Sequence, residues 1–384
     1  MEYGAGLDDR IPLCTVCTQQ LRGWVESGSV EKPFNCALCF GMLDEKFVDE
    51  VVAEAKKIYE SSGYDSKSFL LAVNVPVTAI FREALYELAY RIPLSDRTFS
   101  TIPFKLRIVN AYLEKIRNST GLSPSLSSDL ILTLTFINDE FNKSDVAYLM
   151  KKIYKMASPS ALCNYTISFE RSPLFIAGRY CKFSRNMSQS PCSALTNMPK
   201  IIGHSVSEKI GAPFVKETRC DIARFVASGR EDIDVRMLGS GRPFVLQLIN
   251  PKKIFSFQKH NSKTTLKRLE DNINKNHDVK VLPGLKQITS NQASLIKNGQ
   301  DERRKLYTGY CYSTRRLDDL MLKELRHKAP FENGDASGTY VKEFVHGDFG
   351  RTRPSLADLF GVEHGEIDIL ELDVEGVDME WPPK

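Results

Sequence analysis

Two cysteine pairs constrain the start of this chain more than any other feature. Cys14-Thr15-Val16-Cys17 and Cys36-Ala37-Leu38-Cys39 are CxxC pairs separated by 18 residues. Each pair puts two thiolates on one tight turn, where they can take adjacent positions of a tetrahedral ion, and the separation matches the paired knuckles of structural zinc. A redox role needs one CxxC in a thioredoxin-like setting, which neither pair has. Four free thiols are the bland alternative. With Cys at all four positions no coordination site stays open, so the expected zinc is structural, not catalytic. Cys163, Cys181, Cys192, Cys220 and Cys311 have no metal spacing and read as core or incidental.

The 384-residue chain is of ordinary globular composition, 42% hydrophobic and 26% charged, enough for two domains. Met1 is followed by Glu2, Asp8 and Asp9 with no apolar run, so no signal peptide is expected. No stretch approaches the roughly 20 apolar residues of a membrane span. A cytoplasmic or nuclear protein is expected. The net charge of +4 is small but unevenly placed. Residues 251–330 hold 18 Lys and Arg against 8 Asp and Glu, whereas 355–384 hold one basic residue against 9 acidic ones. A polyanion is drawn to the first segment and repelled by the second.

Periodicity sketches an α+β chain. Helices are expected at 43–61, 80–91 and 104–120, and strands at 68–75 and 129–137. They form an accessory domain, residues 1–157, followed by a Ser158-Pro159-Ser160 linker. A second domain, residues 158–384, should open on the alternating strand Tyr165, Ile167, Phe169. It should contain a central strand at 244–249 and a strand near the end with Leu370, Leu372 and Val374 on its dry face.

Three runs concentrate unusual chemistry. From Ser228 to Arg242, three arginines, three carboxylates and three glycines fall within fifteen residues, ahead of a buried strand. Glycine permits close backbone approach to a ligand, and arginine binds phosphate or orients carboxylates. A salt-bridged surface turn is the alternative. No GKS or GKT follows, which excludes a phosphate-binding P-loop. The other runs are Gly178 to Asn186, where basic and aromatic residues interleave, and Gly338 to Ser355.

These runs resemble a known family. GRYxKxSRN from Gly178, SGREDxDVRxLGxGRPF from Ser228, GTYxKEFVHGDFGRTxPS from Gly338 and ILELDVExVDxxWPP from Ile369 are similar to the archaeal and eukaryotic tRNA pseudouridine synthases of the Pus family. The resemblance is to the branch of the tenth human member, which modifies the TΨC arm. The resemblance covers most of the second half of the chain. The first half is similar only in its CxxC pairs and a THUMP-like RNA-binding domain. It implies a catalytic domain with a bisected antiparallel sheet and a cleft at its centre. Asp232 then matches the essential aspartate, with Asp234 the weaker candidate. Lys342 matches the basic partner on a neighbouring strand, and Tyr307 the aromatic platform for the flipped uracil. Arg230, Arg179, Lys182 and Arg185 are expected to contact RNA. The implied reaction makes Ψ54, Ψ55 or both, needs no organic cofactor, and is carried out by a monomer with tRNA as partner. One departure stands out. The family's stretch between the tyrosine strand and the G-T-Y-x-K segment is longer, whereas here Tyr340 follows Tyr307 within 33 residues. Strands that help close the catalytic sheet are therefore expected to be missing. The alternative reading is a catalytically weakened RNA-binding member.

Overall fold

The computed structural model describes residues 12–22, 36–89, 102–138, 159–191, 204–258, 260–297, 303–328, 340–363 and 365–384. The chain divides into two compact units, Met1–Ser172 and Pro173–Lys384.

In the first unit the described elements are α1 (Thr15–Arg22), α2 (Glu45–Ser62), β1 (Ser68–Asn74), α3 (Val77–Ala89), α4 (Phe104–Thr120), β2 (Ser123–Pro124), β3 (Leu130–Ile137) and β4 (Asn164–Arg171). Asp44 caps α2 by accepting the Phe47 N–H at 3.0 Å, and Gly63 ends it at φ 72°. The apolar stripe Phe47, Val48, Val51, Val52, Ala55 is buried, as its spacing predicts. The sheet runs β2-β1-β3-β4, with β1 parallel to both neighbours and β4 antiparallel to β3. Leu130, Leu132, Leu134 and Phe136 alternate into the core.

The strand over 164–171 therefore closes the first unit instead of opening the second. It pairs with β3 along its whole length, and Phe169 packs against Tyr59 and Tyr64. An alternating strand reveals its dry face but not which sheet it joins. The division falls at Ser172/Pro173, later than the expected 157/158; Met156 and Ser158 lie outside the described residues.

The second unit contains β5 (Leu174–Lys182), α5 (Val206–Thr218), β6 (Ile222–Ala227), β7 (Arg236–Ile249), α6 (Ser262–Ile273), β8 (Val279–Val281), β9 (Lys286–Ile288), α7 (Ser290–Ser294), β10 (Lys305–Ser313), α8 (Asp319–Lys328), α9 (Val341–His346), α10 (Leu356–Phe360) and β11 (Ile367–Val377). Its sheet is mixed. The central β7 carries β5 antiparallel on one edge. Its other edge is shared: β6 pairs over residues 244–249, while β11 pairs in parallel only at Arg236 and Met237. The sheet thus forks at the start of β7, and the loop from Ser228 to Val235 emerges at the fork.

Three expectations change here. The expected central strand is the second half of a 14-residue strand that already includes Gly239 and Gly241. A Cβ at Gly239 would collide with the Glu375 carbonyl, and one at Gly241 would sit 2.9 Å from that of Tyr180. These glycines let strands approach each other, not a ligand. Leu370 is 60% exposed rather than on the dry face. Tyr310 pairs with Glu371 and Cys311 with Ile369, so Leu370 is the extra residue of a bulge that resets the alternation. Finally, Lys342 lies on the short helix α9, not on a strand; Gly338 and Thr339 are outside the described residues.

Candidate active site

A buried network holds the loop Ser228–Asp234 from beneath. Arg242 and Glu231, with side chains 2% and 0% exposed, pair at 2.7 Å. Arg242 also donates to the Ser228 carbonyl at 2.8 Å. The Tyr180 hydroxyl donates to Glu231, and the Gln189 amide donates to the Tyr180 oxygen and to the Gly229 carbonyl. Burial first, and then the Glu231 charge, push the Tyr180 phenol up, so it stays a neutral donor. Lys182 is fully buried, and its Nζ donates to the carbonyls of Met187, Asp232 and Ile233 at 2.7, 2.9 and 3.0 Å. Arg185 donates to the carbonyls of Asp234 and Leu372 and pairs with Glu371 and Asp373. Arg236 shares Asp373.

Above this base, Asp232 and Asp234 project outward, with side chains 62% and 64% exposed. Lys342 Nζ lies 2.8 and 2.9 Å from the Asp234 oxygens and 3.5 Å from Asp232 Oδ2. The lysine is thus anchored on Asp234 and reaches Asp232 from there. That hydrogen bond holds the Asp234 carboxyl below its ordinary value. Partial burial alone would lower the Lys342 pKa, but Asp234 and Asp232 outweigh it, and the ammonium is stabilised. Asp234 braces this lysine.

Tyr307 lies on β10 opposite Val374, which in turn lies opposite Met237 at the start of β7. At about 4.8 Å per strand this sets its backbone roughly 10 Å from the strand that follows the Ser228–Asp234 loop. It is 43% exposed, and burial of the rest raises its phenol pKa. Arg230 is exposed and makes no hydrogen bond or ion pair to the described residues.

The expected RNA contacts at Arg179, Lys182 and Arg185 find a different use. Arg179 donates to the carbonyls of Ser240, Gly241, Val377 and Met379, and so ties β7 to the C-terminal strand. Lys182 and Arg185 are committed to the loop. Glu231, Arg242, Tyr180 and Gln189, which sequence reasoning missed as a group, complete that support. Burial of charges predicted to be solvated is what distinguishes them, and it is visible only in three dimensions.

In the first unit, the sulfurs of Cys14, Cys17, Cys36 and Cys39 lie within 4.8 Å of one another. Cys14 and Cys39 Sγ are 3.6 Å apart, close to the roughly 3.8 Å edge of a tetrahedron with bonds of about 2.3 Å. The Cys39 N–H points at Cys36 Sγ at 3.5 Å. Arg82 donates to the Ala37 carbonyl and Tyr112 to that of Met42, fixing the second knuckle on the core. The donor set fits a metal ion with no open position.

A family model described as "Pus10, C-terminal" matches residues 175–334 and 332–378. This chain belongs to the Pus10 family. The tRNA pseudouridine synthase Pus10 of Mus musculus is 27% identical, with 93% of this chain and 82% of that protein covered. The Homo sapiens protein of that name is 26% identical over 91% and 79%. The Archaeoglobus fulgidus protein is 32% identical over 54% of this chain and 68% of its own. The mouse alignment runs over 440 positions, more than the 384 residues here, so that relative carries segments absent from this Pus10 chain. The two matched segments meet at residues 332–334.

Proposed function

We infer that this chain is a tRNA pseudouridine synthase, an isomerase that converts uridine to pseudouridine in the TΨC arm at position 54, 55 or both, with Asp232 as its catalytic carboxylate. The observation that carries this reading is the loop itself. An exposed carboxylate stands on a backbone whose carbonyls are fixed by Lys182 and Arg185, with a lysine ammonium 3.5 Å away. Uracil must leave the stack to be reached, and Tyr307 supplies its platform. The N1–C1′ bond breaks, the base turns, and C5 bonds to C1′; C5 gives up a proton and N1 gains one. Atoms balance without a redox partner. Asp232 acts at the sugar or the base, either as a nucleophile or as a base. Lys342 places its ammonium beside that carboxylate, and Arg230 contacts phosphate.

The forked sheet supports the reading of a bisected catalytic sheet with its cleft at the loop. The Cys14, Cys17, Cys36 and Cys39 cluster holds structural zinc, and the first unit is a THUMP-like RNA-binding domain. The protein acts as a monomer in the cytoplasm, the nucleus or both; no helix among the described residues is long and apolar enough to cross a membrane. With Asp232, Lys342 and Tyr307 all in place, the weakened RNA-binding alternative is not the one this site favours. The test is pseudouridine mapping on unmodified tRNA. Asp232→Asn should abolish product with tRNA affinity nearly unchanged. Lys342→Ala should cost most of the turnover, and Asp234→Asn should cost less than Asp232→Asn but more than a surface change. An active wild type whose Asp232→Asn variant keeps full turnover sinks the assignment.

A further inference from the structure

Four consecutive residues after α9 adopt positive φ: Gly347 at 74°, Asp348 at 43°, Phe349 at 54° and Gly350 at 88°. Glycine accepts this region freely, but residues with side chains do not, and a bulky aromatic is among the least suited. The turn is nevertheless closely determined. The Gly347 N–H bonds the Glu343 carbonyl, the Arg351 N–H that of Asp348 at 3.1 Å, and the Thr352 N–H that of Gly347 at 3.2 Å. His346 Nδ1 accepts the Asp348 N–H at 3.0 Å, and the Arg351 guanidinium pairs with the Asp348 carboxylate at 2.7 Å. Strained backbone of this kind persists where its surroundings impose it, and it clusters at functional sites. The ion pair of Asp348 offsets its strain. Phe349 has no such offset, because it is 96% exposed. Glycine at 349 would hold the same turn with less strain.

We propose that Phe349 is a stacking platform for an unpaired nucleobase of the RNA substrate, outside the pocket that receives the target uridine. The proposal rests on the RNA-modifying reading above. Exposed aromatic rings bind unpaired bases whatever their identity, since every base presents a π face. The placement fits. Helix α9 carries Lys342, which faces Asp232, near one end, and the turn bearing Phe349 follows its other end. Six helical residues span roughly 9 Å, within reach of the nucleotides flanking a flipped base. The Arg351 side chain, 77% exposed, places a cation two residues from the ring, where a phosphate of the same strand can approach.

The test uses the full chain and unmodified tRNA. Phe349→Ala should weaken tRNA binding about tenfold and Phe349→Leu nearly as much, whereas Phe349→Trp should bind as well as wild type or better. The chain has two tryptophans, Trp24 and Trp381, so the added indole is read as a difference from wild type and should be quenched by tRNA. Phe349→Gly should raise the unfolding temperature while losing affinity; a ring that supported the fold would give the opposite change in unfolding temperature. Wild-type affinity in Phe349→Ala with an unquenched Phe349→Trp overturns the proposal and leaves the synthase reading intact. So does a loss confined to self-association or to binding of a protein. A wild type that neither binds nor modifies tRNA overturns both.

Discussion

Lys182 illustrates how much a single position decides. Its place in a basic, aromatic run suggests a phosphate contact, yet its ammonium is committed to three backbone carbonyls, two of them at Asp232 and Ile233. Lys182→Glu would turn a carboxylate on those oxygens and should unfold the second unit, so it cannot report on RNA binding. Burial lowers the Lys182 pKa from 10.5 to about 8. Below that value the lysine is charged in the folded and unfolded chains alike. Between about 8 and 10.5 the unfolded chain holds a proton the folded chain has lost, so this group's contribution to stability rises with pH over that window. Catalysis should move the other way. A neutral amine has two N–H donors for three acceptors, and the carbonyl beside the Asp232 carboxylate loosens. A plot of kcat against pH should fall with a midpoint near 8, and Lys182→Met should show a lower rate without that step. A profile flat to pH 10 in the wild type would contradict this. The Lys342–Asp234 pair gives no such step: its carboxyl is depressed and its ammonium raised, so it stays charged throughout that range.

At the scale of elements, the two knuckles are less peripheral than their position near the start of the chain suggests. Cys17, Cys36 and Cys39 belong to the same buried cluster as Phe47, Phe69 and Leu132. Loss of the metal should therefore loosen the whole first unit, not a detachable module. Purified protein should contain about one zinc per chain. Chelation, or Cys36→Ser, should shift a distinct unfolding transition of the first unit to lower temperature. The transition of the second unit, whose core is made of other residues, should stay where it is. Metal analysis finding no zinc in protein purified without chelator, or a single transition unmoved by chelation, would remove the metal's role. The spacing of four cysteines was enough to bring out this cluster, because few other chemistries need that pattern. The spacing did not reveal that Arg82 and Tyr112 fix the second knuckle, since both come from helices far along the chain.

At the scale of the molecule, the outstanding feature is the uncovered end of the second unit's sheet. Among the described residues β10 pairs only with β11, and Leu306, Tyr310 and Tyr312 are 67%, 67% and 53% exposed. A strand so exposed on its apolar positions invites association. The stretch that follows it, between Arg316 and Gly338, is the one that the family resemblance implies to be longer. Inserting a family-length segment between Arg316 and Gly338 should therefore raise turnover on tRNA and reduce self-association, measured by pseudouridine yield and light scattering. The added activity should still vanish in Asp232→Asn. An insertion that changes neither would mean that the short sheet is sufficient as it stands.

The sequence by itself determined most of the helices and strands of the first unit, the four clustered cysteines, and the loop around Asp232 as the densest run of charge and glycine, because each is encoded locally by period, spacing or motif. It did not determine partners. The strand over 164–171 is dry on one face whichever sheet it joins, and only pairing with β3 assigned it to the first unit. Lysines and arginines in a polar run look the same whether they face RNA or backbone carbonyls; folding turned Lys182, Arg185 and Arg242 inward and left Arg230 outside. Desolvating a charge is costly unless acceptors surround it, and those acceptors come from residues up to about two hundred positions away, as for Arg179 and the carbonyls of Val377 and Met379. Local pattern carries no record of such distant neighbours. The tertiary structure alone decided which charges hold the Ser228–Asp234 loop in place and which remain free to meet a substrate.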